Sequence, residues 1–442
     1  MSVPTTLVWG LGIAGRAVAG VLVARGEGVL VGDDAPTPEH RAFAASVGVD
    51  LVEAATEDDV DAMMARVDRL APAPGVPEGH RVIASARRRG VPIVSELELA
   101  YDIEESASAR RPMLGITGTD GKTTTTLMAQ AMLTSAGRVA GAVGNTETPL
   151  IAALDTPADC FAVECSSFRL AFTHRFRCKA SVWLNVAPDH LDWHTDFESY
   201  FAAKAKLWAH VNAGDVAVAP VDDQRILDAA HASNARVVTF GSDRGDYHAI
   251  DGVLTSPHGV IMGASEMRRS LPHDVTNALA AAAVCIESGL ATPSQVAEAL
   301  ARFEHAAHRI EFVRTLDGVA WYNDSKATSP HAAAVAIRSF DSIVLIAGGK
   351  NKDLDLSQMA EHRSHVRAVV ATGASSADIA SAFAGHCEVR TADSMQEAVA
   401  HARELAKAGD VVLLSPGCTS YDWYSNYTER GDDFRTRVLA LK

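Results

Sequence analysis

The chain has 442 residues, 48% of them hydrophobic and 21% charged. That is the profile of globular protein, long enough for several domains at roughly 100–200 residues each. A formal net charge of -15 argues against bulk binding to nucleic acid, which needs a basic face, but still permits phosphate ligands held by local cations and backbone N–H groups.

Met1 to Gly10 lacks a basic region, and the apolar stretch to Val23 is broken by glycines and Arg16. The most apolar later run, Ala278 to Ile286, falls well short of the ~18 residues of a membrane span. The expectation is a cytoplasmic protein with no membrane partner. Cys160, Cys165, Cys178, Cys285, Cys387 and Cys418 form no C-x-x-C pair. They are expected to be reduced and mostly buried rather than zinc ligands.

Short β-rich runs alternate with alanine-rich helical runs along the chain. This predicts an α/β fold of parallel sheets with helical crossovers, in three blocks. The first block, 1–104, opens with a strand over Thr5–Trp9, a Gly-rich turn, a helix to about Arg25 and a strand Gly28–Val31 ending at Asp33-Asp34. Pro92–Val94 reads as a further strand, and Glu105–Arg111 as a linker. The turn Gly10-Leu11-Gly12-Ile13-Ala14-Gly15 has the spacing of the dinucleotide-fold fingerprint and can seat any diphosphate on a helix N-terminus. A purely structural turn is the competing reading.

The second block, 112–303, starts with a strand Met113–Ile116 and continues through strands near Phe161–Val163, Ser181–Leu184 and Val216–Ala219. Helices are expected at Thr123–Ala136, Val275–Glu287 and Pro293–Phe303. Between the first strand and helix lies Gly115-Ile116-Thr117-Gly118-Thr119-Asp120-Gly121-Lys122-Thr123. Its glycines let backbone N–H groups converge on phosphate oxygens. Lys122 can reach the terminal phosphates, and the Thr123 hydroxyl can ligate Mg²⁺. Ile116 stands where the general phosphate-loop pattern has its first glycine. Glu164 follows an apolar strand, where a carboxylate suits Mg²⁺, and Asp189-His190-Leu191-Asp192 comes later. A helix over Phe197–His210 carries Lys204 and Lys206. Their spacing assigns neither a role.

The third block, 304–442, has strands Ile343–Ala347, Ala368–Ala371 and Val411–Leu414 with helices between them. Polar segments sit at its sheet ends: His308-Arg309, Asn323 to Thr328, Gly348 to Lys352, and Ser415 to Cys418 with Ser420, Asp422 and Arg430-Gly431. Any one of them is ordinary loop composition, whereas three together favour a site.

Taken in order, these segments resemble the Mur ligase family over nearly the whole chain. The phosphate loop is similar to TGTNGKTT, with Asp120 for asparagine. Leu184 to Asp192 resembles LNxxPDHLD, Tyr200 to Lys204 resembles YxxAK, and His308-Arg309 matches the family's HR. The N-terminal GLGxxG, Asn323 to Thr328 (NDSKAT) and Ser415 to Gly431 resemble the D-glutamate-adding branch. Arg169 stands where the family has Gln after SSF, Ser329 replaces Asn after NDSKAT, and Ala73 replaces Ser before Pro74-Gly75.

The resemblance implies three domains: a Rossmann-like N-terminal domain, a P-loop ATPase-like central domain and a Rossmann-like C-terminal domain. It implies the substrates UDP-N-acetylmuramoyl-L-alanine, D-glutamate and ATP, an acyl-phosphate intermediate, and a monomer. Gly12, Ile13, Ala14, Asp33, Asp34, Asn145 and Ser166 are then expected at the UDP-sugar. Gly118, Thr119, Asp120, Gly121, Lys122, Thr123, Thr124, Asn277, Arg309 and Asp324 are expected at ATP. Thr123 and Glu164 would hold one Mg²⁺, and His190 with Lys204, carbamylated by CO₂, a second. Lys122, His190 and Lys204 would carry the catalysis. Thr328, Lys352, Ser420, Tyr421 and Tyr427 would form the amino-acid pocket.

Rival readings are a sister Mur-type ligase, a folate-glutamylating ligase, and an NAD-dependent oxidoreductase, which leaves the phosphate loop without a role. A nucleotide-binding regulator is opposed by the intact Lys122, His190 and Lys204.

Overall fold

The structure is a computed structural model that describes residues 4–53 and 55–442. It divides into two compact units, Met1–Ser270 with Asp274–Phe303, and Leu271–His273 with Glu304–Lys442.

The first unit begins with strands β1 (Thr5–Trp9), β2 (Gly28–Asp33), β3 (Leu51–Glu53) and β4 (Arg69–Pro72), all parallel, in the order β3-β2-β1-β4. Between β1 and β2 the helix Ile13–Ala24 packs down on the Gly-rich turn. A Cβ on Gly15 would lie 1.9 Å from the Gly10 carbonyl oxygen, so only glycine permits that approach. The expected strand at Pro92–Val94 is only a single bridge, Leu70 to Ile93. Pro92 has no N–H to donate, and Ser95 already caps the next helix, Glu96–Glu105.

The expected linker also behaves differently. That helix runs through Glu105, and the Arg111 guanidinium grips the buried Glu104 carboxylate at 2.9 and 2.7 Å and the Leu154 carbonyl at 2.9 Å. A bidentate buried pair anchors the segment, so it is no slack tether.

Six parallel strands follow: β5 (Met113–Thr117), β6 (Ala140–Gly144), β7 (Cys160–Glu164), β8 (Ala180–Trp183), β9 (Val216–Pro220) and β10 (Arg236–Phe240), in the order β10-β9-β8-β5-β7-β6. β5, β7 and β8 are buried along their whole length, which is why they read as unbroken apolar runs. Because the strands are parallel, their C-terminal ends share one edge. The phosphate loop, Asn145, Glu164 and Asn185 all lie there.

The helix expected over Phe197–His210 is α-helical only over Phe197–Ala205, then tightens into a 3₁₀ turn over Lys206–Trp208. The turn drives Leu207 and Trp208 into the core. An antiparallel meander was not foreseen: β11 (His248–Ile250), β12 (Val253–Ser256) and β13 (Gly259–Gly263). Asp251 and Gly252, with φ of 51° and 73°, make its first hairpin turn.

In the second unit, β14 (Glu311–Leu316), β15 (Val319–Asn323), β16 (Ile343–Gly348), β17 (Val366–Thr372), β18 (Glu388–Ala392) and β19 (Val411–Gly417) form a sheet in the order β14-β15-β19-β16-β17-β18. The pair β14–β15 is antiparallel, turning at Asp317-Gly318, and the rest is parallel. The expected parallel sheet thus gains one antiparallel strand at this edge. Asn323, Gly348 and Gly417 end three adjacent parallel strands on one side of the sheet.

Candidate active site

The phosphate loop is held by its neighbours. Asn185, just past β8, uses its Oδ1 to accept from the backbone N–H groups of Thr119 at 3.0 Å and Asp120 at 2.9 Å. The Thr119 hydroxyl accepts from the Ala187 N–H at 2.9 Å and pairs with the Tyr200 hydroxyl at 3.0 Å. Gly121 takes φ 80° immediately before the helix Lys122–Ser135, and a Cβ there would meet the Asn277 Oδ1 at 2.6 Å. Asn277, from the helix Pro272–Glu287, therefore lies against the loop. No side chain caps the helix start, so its first N–H groups can serve a phosphate oxygen. Lys122 folds back, its Nζ donating to the carbonyls of Gly118 at 2.9 Å and Thr119 at 2.6 Å. Thr123 and Thr124 lie half-buried in the first helical turn.

Lys204 reaches the same loop from another helix. Its Nζ donates to the Gly118 carbonyl at 2.7 Å and lies 4.6 Å from the Tyr200 ring centroid. The side chain is 1% exposed. Burial, and then the charge of Lys122, push its ammonium well below the ordinary lysine pKa of 10.5. Lys206 points elsewhere, donating to the Ala171 carbonyl.

His190, at φ 55°, sits 3.3 Å from the Asp189 carboxylate and edge-on to Phe168, 4.6 Å between centroids. His194 is 2% exposed, 2.9 Å from the Ser167 hydroxyl, and burial pushes its pKa down to about 4.

Glu164 ends β7 at 2% exposure. Its Oε1 accepts from Asn145 Nδ2 at 3.0 Å, while Oε2 is buried with no hydrogen-bond partner among the described residues. A buried carboxylate oxygen costs free energy unless something compensates it. With the Thr123 hydroxyl it offers hard oxygen donors, a set that fits Mg²⁺. The Ser166 hydroxyl caps the short helix Ser167–Leu170.

In the N-terminal sheet, Asp33 accepts from the Leu11 N–H at 2.7 Å and the Ala35 N–H at 2.9 Å, locking the Gly-rich turn. Asp34 accepts from the Trp9 indole at 2.9 Å and from Arg81. Both acids thus engage the protein itself. Gly12 caps its helix without a side chain, and Ile13 is 59% exposed, so the turn is open to a ligand.

In the second unit, Asp324 accepts from the Ser415 hydroxyl at 2.8 Å and the Ile310 N–H at 3.2 Å. Arg430, 4% exposed, donates to the Ser325 hydroxyl at 3.0 Å, the Ser325 carbonyl at 2.8 Å and the Cys418 carbonyl at 3.1 Å. Those bonds knit the loop after β15 to the loop after β19, and burial lowers the arginine pKa to about 10. Along this edge Ser420 is buried, Thr328, Lys352, Tyr427 and Arg309 are half-buried, and Tyr421 is largely exposed. The Tyr427 ring lies 3.7 Å from the Lys326 Nζ. Lys350 is exposed, its backbone bridged to Thr419.

Residues 116–285 match the Mur ligase middle domain, and 308–418 match the Mur ligase, glutamate ligase domain. A relative from Frankia casuarinae is 38% identical over 98% of this chain and 93% of its own. Another, from Pelotomaculum thermopropionicum, is 38% identical over 99% of this chain and 97% of its own. Both are named UDP-N-acetylmuramoylalanine–D-glutamate ligase. The chain belongs to the Mur ligase family.

Solved Mur ligases share the fold. MurF ligase from Thermotoga maritima in complex with ADP superposes with a TM-score of 0.61 at 17% identity, covering 93% of this chain and 95% of its own. UDP-N-acetylmuramate-alanine ligase MurC from the same organism gives 0.60 at 19%, covering 99% and 100%. Mur ligases use ATP and Mg²⁺. In this Mur ligase, sequence reading assigned no role to Asn185, Tyr200, His194 or Arg81. Asn185 and Tyr200 were visible only as motif letters, and their bonds to the loop depend on strand neighbours far apart in sequence. Arg81, 5.8 Å from the Trp9 ring and paired with Asp34, had no sequence signal at all.

Proposed function

We propose that this Mur ligase joins D-glutamate to UDP-N-acetylmuramoyl-L-alanine, cleaving ATP to ADP and phosphate, in the cytoplasmic assembly of peptidoglycan precursors. Near-full-length similarity to relatives named for that reaction carries the reading. Residues 4–104 hold the uridine diphosphate on the open helix start at Gly12–Ala14. Residues 112–303 hold ATP, and residues 304–442 take the amino acid.

A free carboxylate is a poor acyl donor, so the alanyl carboxylate attacks the γ-phosphate and ADP leaves. The D-glutamate amine then attacks the acyl phosphate carbonyl and phosphate departs. The difficulty is bringing two anions together, and fixed positive groups relieve it. Lys122 swings from the carbonyls of Gly118 and Thr119 to the terminal phosphates. Thr123 and Glu164 would hold one Mg²⁺, and His190 with carbamylated Lys204 a second. Mg²⁺ held by these residues would neutralise charge on the transferring phosphoryl group. A lysine whose pKa is depressed by burial keeps the neutral amine that CO₂ requires, which supports the carbamate at Lys204.

Transfer of ¹⁸O tests the mechanism. Substrate labelled in the alanyl carboxylate should pass one ¹⁸O atom into inorganic phosphate. Label appearing in AMP instead would replace the acyl phosphate with an acyl adenylate.

A further inference from the structure

Arg169 is 6% exposed and lies on the short helix Ser167–Leu170, just past β7. A buried guanidinium is costly without a counter-charge. Here the counter-charge is Glu96, itself 4% exposed, whose Oε2 accepts from Arg169 Nε at 3.1 Å. The other Glu96 oxygen accepts from the Ile151 N–H at 2.9 Å, which fixes the carboxylate. Arg169 Nη1 donates to Asn145 Oδ1. Asn145 Nδ2 donates in turn to Glu164 Oε1 at 3.0 Å, and Glu164 Oε2 is the buried oxygen with no partner among the described residues.

The direction of this chain follows from chemistry. A guanidinium has only donors, so the Asn145 atom facing it must be the oxygen. The amide nitrogen must then face Glu164, which ties up one carboxylate oxygen and leaves the other, buried Oε2, without a protein donor among the described residues. Asn145 is exposed on its remaining side and would otherwise be free to flip. Flipped, its oxygen would face a carboxylate, and Glu164 would lose its anchor. Glu96 also cancels the arginine charge, so the relay does not repel a cation bound at Glu164.

We infer that Arg169, neutralised by Glu96, is a positioning residue that sets the Asn145 amide and, through it, presents Glu164 Oε2 to a divalent cation. The inference rests on the assignment of Mg²⁺ to Glu164. Two double variants separate positioning from packing. Glu96→Gln with Arg169→Gln removes both charges but keeps an N–H donor for Asn145. Glu96→Gln with Arg169→Met removes the charges and the donor.

Binding of Mn²⁺ in the presence of a non-hydrolysable ATP analogue is followed by the paramagnetic resonance of free Mn²⁺, with melting temperature measured in parallel. The glutamine pair should bind Mn²⁺ within about threefold of wild type. The methionine pair should bind at least about tenfold more weakly, the usual scale for losing a group that orients a metal ligand. Should the methionine pair not fold, Arg169→Lys carries the test. One ammonium cannot hold Glu96 and Asn145 in a fixed fork, so Mn²⁺ binding should weaken at unchanged melting temperature. Glu164→Gln separates the two failures. If it binds Mn²⁺ like wild type, the metal assignment is wrong. If it weakens binding while the donor-keeping and donor-lacking variants bind alike, the relay is wrong and the metal assignment stands.

Discussion

The Nζ of Lys204 donates to the carbonyl oxygen of Gly118 at 2.7 Å, so a buried amine from one helix is tethered to the phosphate loop of another element. Lys206, two residues on, bonds the Ala171 carbonyl instead. This divergence makes the two lysines a controlled pair. Lys204→Ala should abolish ligation, by about 10³-fold or more in kcat if it removes a metal-bound anionic ligand. Lys206→Ala should change kcat less than about threefold, as expected for a group outside the chemistry. With ¹³C-bicarbonate, wild type and Lys206→Ala should show a carbamate resonance that Lys204→Ala lacks, and acetate should partly restore activity to Lys204→Ala. Equal losses in the two variants would make the lysines a general basic surface.

Lys204 also predicts a pH dependence. Its folded-state pKa lies well below 10.5, so between the two values the unfolded chain binds a proton that the folded chain refuses. Stability therefore rises with pH across that window. Lys204→Met removes the term, and its melting temperature should gain most over wild type at the low-pH end. A constant difference from pH 6 to 9 would mean the ammonium stays charged when buried.

His194 behaves the same way in a lower window. Its pKa is depressed to about 4 by burial. As pH falls through 6.5 the unfolded state takes up a proton and the folded state does not, so stability is lost between about 6.5 and 4 and no further below that. His194→Gln can still bond Ser167 but does not titrate. Its melting temperature relative to wild type should rise as pH drops through this window. A flat difference would show that His194 takes up its proton as readily in the folded protein as in the unfolded chain.

Much of the site was legible because parallel strands put their C-terminal ends on one edge. Once β5 was read from its apolar run, the loop at Gly118–Thr123 and the acid at Glu164 followed from strand-end logic. The helix break after Ala205 was not legible, because Leu207 and Trp208 fit a helical pattern equally well until the core claims them. The meander at His248–Gly263 does carry a signal, the Asp251-Gly252 pair, but it is set among polar residues that read equally well as loop. Asp33 and Asp34 show the opposite limit. Sequence placed them at a strand end, but only coordinates reveal that their oxygens accept from Leu11, Ala35 and Trp9.

The proposed amino-acid pocket offers a second pair of lysines. Lys350 is exposed, whereas Lys352 is half-buried and its backbone N–H donates to Asn351 Oδ1 at 2.7 Å. A desolvated carboxylate needs a cation, and losing one partner of such a pair costs about 2–5 kcal/mol. Lys352→Ala should raise KM for D-glutamate at least tenfold, on the order of 1.4 kcal/mol or more. Lys350→Ala should stay within about threefold, since an exposed cation contributes roughly 0–1 kcal/mol. A larger effect at Lys350 would shift the pocket by two residues along the loop.

D-glutamate is the amino acid proposed to be joined to UDP-N-acetylmuramoyl-L-alanine. The direct measurement is phosphate release from ATP with that nucleotide sugar, offered D-glutamate, L-glutamate, L-lysine and meso-diaminopimelate in parallel. Turnover with D-glutamate exceeding every alternative by at least about a hundredfold in kcat/KM, a discrimination near 2.7 kcal/mol, is the predicted result. Faster release with L-glutamate, L-lysine or the diamino acid would contradict it.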